Sequence, residues 1–171
     1  MEAIKCVRHL LTKCLIVGFL FSQCQSTAQD YPEKIGGIAF DPKLDDANFF
    51  LCNERFIPEG YQVDTIYEGE AWMVVEQLKA GFQYDERFKG SGYVTVRFVV
   101  NCKGETGRYR VLQVDDHYQP TEFSEPLLNH LLLLTKGLKQ WKAGEYRGQR
   151  FDSYEHIIFK IDEGRLALIT F

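Results

Sequence analysis

Asp115, Asp116 and His117 form the one local group in this sequence that offers several metal-ligating atoms. Carboxylates and an imidazole can hold a divalent cation, but adjacent residues rarely converge on one ion without further ligands. Successive aspartates are also typical of a solvated loop, which is the interpretation we favour. His130 and His156 lie in apolar segments, where a histidine is more often packed or at the surface than catalytic.

The motifs that would identify an enzyme are missing from the sequence. It has no Gly-x-Ser-x-Gly nucleophile elbow, no His-Glu-x-x-His zinc motif, no phosphate-binding P-loop and no Gly-x-Gly-x-x-Gly. The run Gly90-Ser91-Gly92 lacks the spacing of the elbow and is more typical of a flexible loop before a strand. We therefore expect no catalytic residue, no cofactor and no metal ion, and a binding protein rather than an enzyme.

Arg97, Arg108 and Arg110 are candidates for binding a partner. They fall on two successive predicted strands, where with Tyr93 they would share one face of a sheet. Arg97 with Arg108 or Arg110 could grip a carboxylate or an acidic peptide segment. The alternative is an ordinary solvated face with cross-strand pairs.

Cys52 and Cys102 are the two cysteines that remain after an N-terminal segment that carries the other three. In an oxidising compartment an even pair most economically forms one disulfide; the alternative is two buried free thiols. A bridge across a loop of this length would stabilise the fold by about 3–4 kcal/mol. Neither cysteine lies in a Cys-x-x-Cys motif, so redox catalysis is not expected.

Residues 1–28 have the pattern of a cleaved export signal. A basic front precedes the apolar run 14–21, which is too short to span a bilayer because a spanning helix needs about 20 residues. Small residues predict cleavage after Ala28, and an uncleaved membrane anchor is one alternative. A lipoprotein is another, since Cys24 follows the apolar run, although Gln23 is bulkier than the small residue usual there. Lipidation at Cys24 would hold the mature domain at a membrane face.

The composition is that of a soluble globular protein, with 45% hydrophobic and 26% charged residues. The net charge is -4, so the surface gains little from counterion release and nucleic acid is not an expected partner. The length of 171 residues suits one domain. We expect an irregular lead-in segment over residues 29–68, stapled to the domain by Cys52, and the domain itself over residues 69–171.

Hydrophobic periodicity predicts two helices and four strands within this domain. The helices are predicted over residues 71–82 and 123–138, and the strands over 93–101, 108–114, 154–161 and 165–171. A weak alternation suggests a further short strand over 61–67. Trp141 is predicted to be a core or helix-end anchor at the start of a turn that contains Gly144 and Gly148.

The order of these elements predicts an α+β fold. A crossover through the second helix makes the second and third strands parallel, and the first strand fits between them, antiparallel to both. The fourth strand then forms a hairpin with the third at the edge of the sheet. The expected architecture is a mostly antiparallel sheet of three to four strands with two helices packed on one face.

Residues 71–161 resemble the carboxy-terminal domain of TonB, the periplasmic part of bacterial energy transducers. The resemblance depends on the order of several short motifs rather than on any single one. These motifs are Gly92–Asn101, Lys103–Gly107, Trp141–Gly144, Gly148 and Phe159. The family usually has proline where this sequence has Ala143.

The resemblance implies a scaffold that binds the periplasmic side of outer-membrane receptors, where an extended receptor peptide adds a strand to the sheet. A transducer also needs a membrane anchor and a long Pro-rich arm, and the sequence offers neither. We therefore expect a stand-alone, exported protein-binding module of a Gram-negative bacterium, accessory to TonB-dependent transport across the outer membrane. The alternative is an envelope-associated structural lipoprotein or self-associating protein with no transport role.

The last predicted strand would occupy the sheet edge to which a receptor peptide would otherwise add. Arg165, Leu166 and Leu168 in that strand are further candidate partner-binding residues. The partner would be a protein or peptide, such as a receptor segment, and membrane contact is expected only if the chain is lipidated. The same apolar strand could instead pair with a second copy and give a homodimer.

Overall fold

The computed structural model describes residues 36–170, so the predicted cleavage after Ala28 and lipidation at Cys24 lie outside the described residues. Residues 38–170 belong to one compact unit. A 3-10 helix forms over Gly60–Gln62, and the α-helices are α1, Glu70–Gly81, and α2, Glu125–Gly137. The strands are β1, Ile66–Tyr67; β2, Gly92–Val100; β3, Thr106–Val114; β4, Trp141–Lys142; β5, Gly144–Tyr146; β6, Gln149–Phe151; β7, Ser153–Asp162; and β8, Arg165–Thr170.

The central sheet has four strands in the order β3-β2-β7-β8, and every neighbouring pair is antiparallel. Because β3 and β7 are both antiparallel to β2, they run parallel to each other. The predicted α+β class and the predicted strand order are therefore confirmed. The number of strands is higher than expected, since β1 pairs with β4 and β5 pairs with β6 in two small additional sheets.

Strict alternation in β2 gives the sheet one strongly apolar face. Val94, Val96, Phe98 and Val100 are all 0% exposed and belong to the main core cluster, which includes residues of both helices. A strand places alternate side chains on opposite faces, so this register fixes which face the helices cover. Both α-helices pack on that face, as the sequence predicts.

Not all leucines of α2 are buried in the core. Leu127 and Leu131 are fully buried, whereas Leu133 is 68% exposed. Proline in the first turn of α2 suits a helix start, because the missing N–H has no intrahelical acceptor there. The breadth of the apolar surface arises because α2 contacts β2, β3 and α1 at once.

The opposite face of the sheet is partly covered by the lead-in segment. Ile38, Val99 and Tyr154 form a second, smaller core cluster, against which Phe49, Leu51 and Ile57 pack. This cluster lies at one end of the sheet, because Val99 is opposite Tyr154 in the β2–β7 register. The lead-in segment thus contributes a layer to the fold.

Local structure differs from the sequence-based prediction at two places. The expected strand over 61–67 is wrong in its first half, where a 3-10 helix forms, and only Ile66–Tyr67 pairs as β1. The turn region after Trp141 folds into the hairpin of β5 and β6, with Arg147 and Gly148 at positive φ between them. Among residues 36–170, no helix has the length and hydropathy needed to cross a membrane.

Candidate functional site

The structure joins Cys52 and Cys102 in a disulfide that links the lead-in segment to the β2–β3 turn. Their Cα atoms are 6.1 Å apart, and 50 positions separate them in sequence. With Asp152 they form the one group of three potential metal-ligating residues found within residues 36–170. The two sulfur atoms are bonded to each other, so they are not thiolate ligands in this state.

The three candidate arginines lie on the face that the lead-in segment covers, and each is bound to a carboxylate of that segment. The guanidinium–carboxylate distances are 2.5 Å for Arg97–Glu59, 2.6 Å for Arg108–Glu54 and 2.7 Å for Arg110–Asp45. The Arg110–Asp45 pair has two such bonds, in the fork geometry that Arg favours with a carboxylate. These arginines grip carboxylates, but the carboxylates belong to the same chain.

A β-bulge in β3 explains how Arg108 and Arg110 serve the same segment. The register with β2 shifts between Arg97 and Val99, and Arg108 has a φ of 52°. A bulge inserts an extra residue and redirects the side chains next to it. Arg108 is 9% exposed, and its Nε has no hydrogen-bond partner among the described residues.

The candidate residues of β8 lie apart from these arginines, at the far edge of the sheet. The Arg165 guanidinium stacks over the Tyr84 ring at 4.0 Å. Leu166 packs partly against the main core, whereas Leu168 is 54% exposed and lies opposite Lys160 on β7. The predicted partner-binding residues therefore fall into two separate groups, one internally paired and one at an edge.

The acidic loop and the isolated histidines have ordinary structural contacts. The Asp115 carboxylate accepts hydrogen bonds from the backbone N–H groups of His117 and Gln119, which lower its pKa. Asp116 pairs with Lys160. His130 accepts a bond from the backbone of residue 83, and it packs beside two phenylalanines.

Two of the clefts on the described surface are lined by charged residues of the sheet. A cleft of about 740 Å³ lies between the lead-in segment and the β2–β3 turn, lined by residues that include Arg108, Lys103 and Lys136. A second, of about 650 Å³, lies beside the first half of β7 and is lined by Glu155 and Trp141. Burial, followed by repulsion from Glu59, raises the pKa of Glu155 to about 7, while Arg97 opposes the shift.

Glu155 is not among the residues predicted from the sequence, although the pattern of β7 indicates that its position is unusual. Glu155 has the same parity as Ile157, Phe159 and Ile161, which are all buried against the helices. A charged residue on the buried face of a strand is uncommon and often marks a functional position.

Comparison of the chain with protein-family models, curated proteins and solved structures gives no match.

Proposed function

We propose that this chain is an exported protein-binding module that takes up an extended segment of a partner protein as an additional strand on the outer edge of β8. The single observation that supports this proposal most directly is the chemistry of that edge. From Leu166 to Thr170 the strand has the sequence LALIT, without a charge or a proline, and its one sheet neighbour among the described residues is β7.

An edge of this kind is unusual in a protein that has no use for it. Proteins commonly protect edge strands with lysine, proline or a bulge, because unpaired N–H and C=O groups recruit other strands. Along a strand these groups point to alternate sides, so every second residue of β8 directs its backbone away from β7. Ala167 and Thr170 are exposed, as is Leu168.

The adjoining sheet face indicates the chemistry of the partner segment. On the part of the outer sheet face that the lead-in segment leaves open, Leu168 lies in register with Lys160, Tyr93 and Val114 across four strands. A strand added to β8 would extend this row and the neighbouring one that ends at Thr170. The expected partner is therefore an extended segment with apolar or aromatic side chains at alternate positions.

The TonB resemblance motivates the setting that we propose for this interaction. The partner is then a segment of an outer-membrane receptor or transporter, and the module is an accessory to transport. Export is supported by the N-terminal pattern of the sequence and by the Cys52–Cys102 disulfide, since disulfides persist in oxidising compartments. The homodimer alternative is a distinguishable outcome of the experiments below.

The experiment selects binding peptides from a random decapeptide library and compares two lysine variants by calorimetry. Leu168→Lys puts a charge on the β8 edge, and Leu112→Lys is its matched control, because Leu112 is similarly exposed, at 57%, on β3 at the opposite edge. Strand addition at β8 predicts that the first variant lowers affinity at least about tenfold and the second does not. Equal affinity for both variants, or no peptide retained by the wild type, contradicts the proposal.

Sedimentation of the wild type over a range of concentrations distinguishes a homodimer from a monomeric module that binds a different protein. A dimer that pairs through β8 dissociates in Leu168→Lys and persists in Leu112→Lys. A monomer at all concentrations, together with peptide binding, supports a module for a different protein.

A further inference from the structure

The cleft beside β7 contains a carboxyl group without a partner. Within residues 36–170 the carboxyl of Glu155 makes no hydrogen bond and no ion pair, although the residue is only partly exposed. Gly60 lies so close that a Cβ on it would collide with Glu155 Oε1. The backbone thus makes room for this carboxyl, which accepts no hydrogen bond from any of the described residues. A desolvated carboxylate without a donor is costly, and a ligand can remove that cost.

The walls of the cleft are aromatic. Tyr61, Tyr67 and Trp141 line it, as does Tyr154, whose ring already carries the Arg97 guanidinium at 4.9 Å. Tyr67 and Trp141 meet edge to face, with ring centroids 5.2 Å apart, which fixes both rings. Aromatic faces attract cations, and Trp is the strongest of them.

The Trp141 ring lines this cleft and also the cleft at the β2–β3 turn. The residue is 7% exposed, and its Nε1–H has no hydrogen-bond partner among the described residues. A buried polar group without a partner is uncommon in a native protein and calls for an explanation. The NMR signal of this N–H can report on the occupancy of a cleft that the indole ring lines.

The charge of the cleft is negative. Glu59 and Glu70 line it together with Glu155, and none of its lining residues is Lys or Arg. The nearest cation, Arg97, is bonded to Glu59 at 2.5 Å. A cation that entered the cleft would therefore find an aromatic wall and a carboxyl without a hydrogen-bond donor.

We propose that this cleft binds an alkylammonium group, with the Glu155 carboxylate as its counter-ion and the tyrosine and tryptophan rings around its carbon chain. The group could belong to a free amine or to a lysine side chain of a polypeptide, and the chemistry of recognition is the same. This inference is independent of strand addition at β8, because no residue of β8 lines the cleft.

Binding of this kind depends on pH. The Glu155 carboxyl, with its pKa near 7, is mostly ionised at pH 8 and mostly neutral at pH 6, so affinity for a cation falls about tenfold between them. Burial lowers the pKa of the neighbouring His156, and the charge of Arg97 lowers it further, so both disfavour the charged form of this histidine. The charged and titratable groups around Glu155 come from every element packed against it: Glu59 and Tyr61 at the 3-10 helix, Tyr67 on β1, Glu70 on α1, Arg97 on β2, and Tyr154 and His156 on β7.

The test titrates the full chain with three probes and follows the Trp141 indole N–H by NMR. The probes are n-butylammonium, its neutral analogue n-butanol, and the peptide acetyl-Gly-Lys-Gly-amide. At pH 8 at least one cation is expected to bind at least about tenfold more tightly than n-butanol. A peptide preference indicates a lysine side chain as the natural occupant, and equal binding indicates a free amine. Failure of both cations, or equal binding of n-butanol, overturns the proposal.

Variants assign the effect to Glu155. Glu155→Gln keeps the shape and is expected to lower affinity for the cation at least about tenfold and to abolish its pH dependence. Glu76→Gln removes the same charge from the exposed side of α1 and is expected to change neither. Gly60→Ala retains the charge but displaces the carboxyl, and it is expected to weaken binding with a wild-type NMR spectrum elsewhere. Unchanged affinity in both Glu155→Gln and Gly60→Ala contradicts the proposal.

Discussion

The Asp152 carboxylate accepts a hydrogen bond of 2.8 Å from the backbone N–H of Cys102. Its other oxygen accepts one of 2.7 Å from the backbone N–H of Asn53, which directly follows Cys52, the disulfide partner of Cys102. One buried carboxylate therefore holds the two chain segments that the disulfide also joins. The lead-in segment is fixed at this point by a covalent bond and by two charge-assisted hydrogen bonds.

Asp152→Asn is expected to destabilise the fold by about 1–3 kcal/mol, because the amide nitrogen cannot accept one of the two bonds and leaves a buried N–H unpaired. Urea denaturation at pH 7 measures the change. Asp162→Asn, at an exposed position at the end of β7, is the control and is expected to have little effect. Equal stability of Asp152→Asn and the wild type would contradict this account.

Replacement of Cys52 and Cys102 by serine is expected to lower the free energy of unfolding by about 2–4 kcal/mol, mainly because the unfolded chain regains freedom. The fold should survive, since Asp152 and three arginine–carboxylate pairs still hold the lead-in segment. Denaturation with and without dithiothreitol tests this. The reductant should destabilise the wild type and leave the stability of the double variant unchanged. Loss of the native spectrum in the double variant would show that Asp152 and the arginine–carboxylate pairs are not sufficient to hold the lead-in segment.

The ion pair between Asp45 and Arg110 should make stability depend on acidity. The hydrogen bonds from Arg110 lower the pKa of Asp45, whose side chain is 1% exposed. A carboxyl with a lowered folded-state pKa stabilises the protein above its unfolded pKa of about 3.9, and the stabilisation is lost as pH falls through the folded value.

Asp45→Asn should therefore cost about 1–3 kcal/mol at pH 7, and the cost should decrease as the pH falls below about 3.9. Urea denaturation across this pH range provides the measurement. Asp46→Asn is the matched control, because the neighbouring Asp46 is exposed and bonds only locally to Asn48. A cost for Asp45→Asn that stays constant with pH would exclude the ion pair as its origin.

The local hydrophobic pattern of the sequence was sufficient to predict the central sheet and its two helices. The period-2 alternation of 93–101 and the helical spacing of 71–82 and 123–138 predicted β2, α1 and α2 within two residues at each end. The strand order followed from a helix that separates two hairpins. These features depend on neighbours in sequence, which a single chain reveals.

Distant pairings could not be derived in this way. Asp45 and Arg110 are 65 positions apart, and nothing in the sequence of the lead-in segment indicates which arginine its carboxylates meet. The bulge that turns Arg108 toward the same segment is also invisible to a pattern of strict alternation. The arginine face that the sequence suggested for a partner is consequently used within the chain.

Ionisation of Glu155 should destabilise the folded protein, whereas ionisation of Asp45 stabilises it. The Glu155 carboxyl has a folded pKa of about 7, above the ordinary value of 4.5, mainly because of burial. The folded protein then holds a proton that the unfolded chain has released, so stability falls as pH rises from about 4.5 to 7. Glutamine has no titratable carboxyl, so the side chain of Glu155→Gln stays neutral at every pH. The variant should be more stable than the wild type by about 1–3 kcal/mol at pH 8 and equal to it at pH 4.5, as measured by urea denaturation. Glu76→Gln should show no such pH-dependent difference from the wild type. If Glu155→Gln were instead less stable than the wild type at pH 8, an internal hydrogen-bond donor would have to hold the carboxylate.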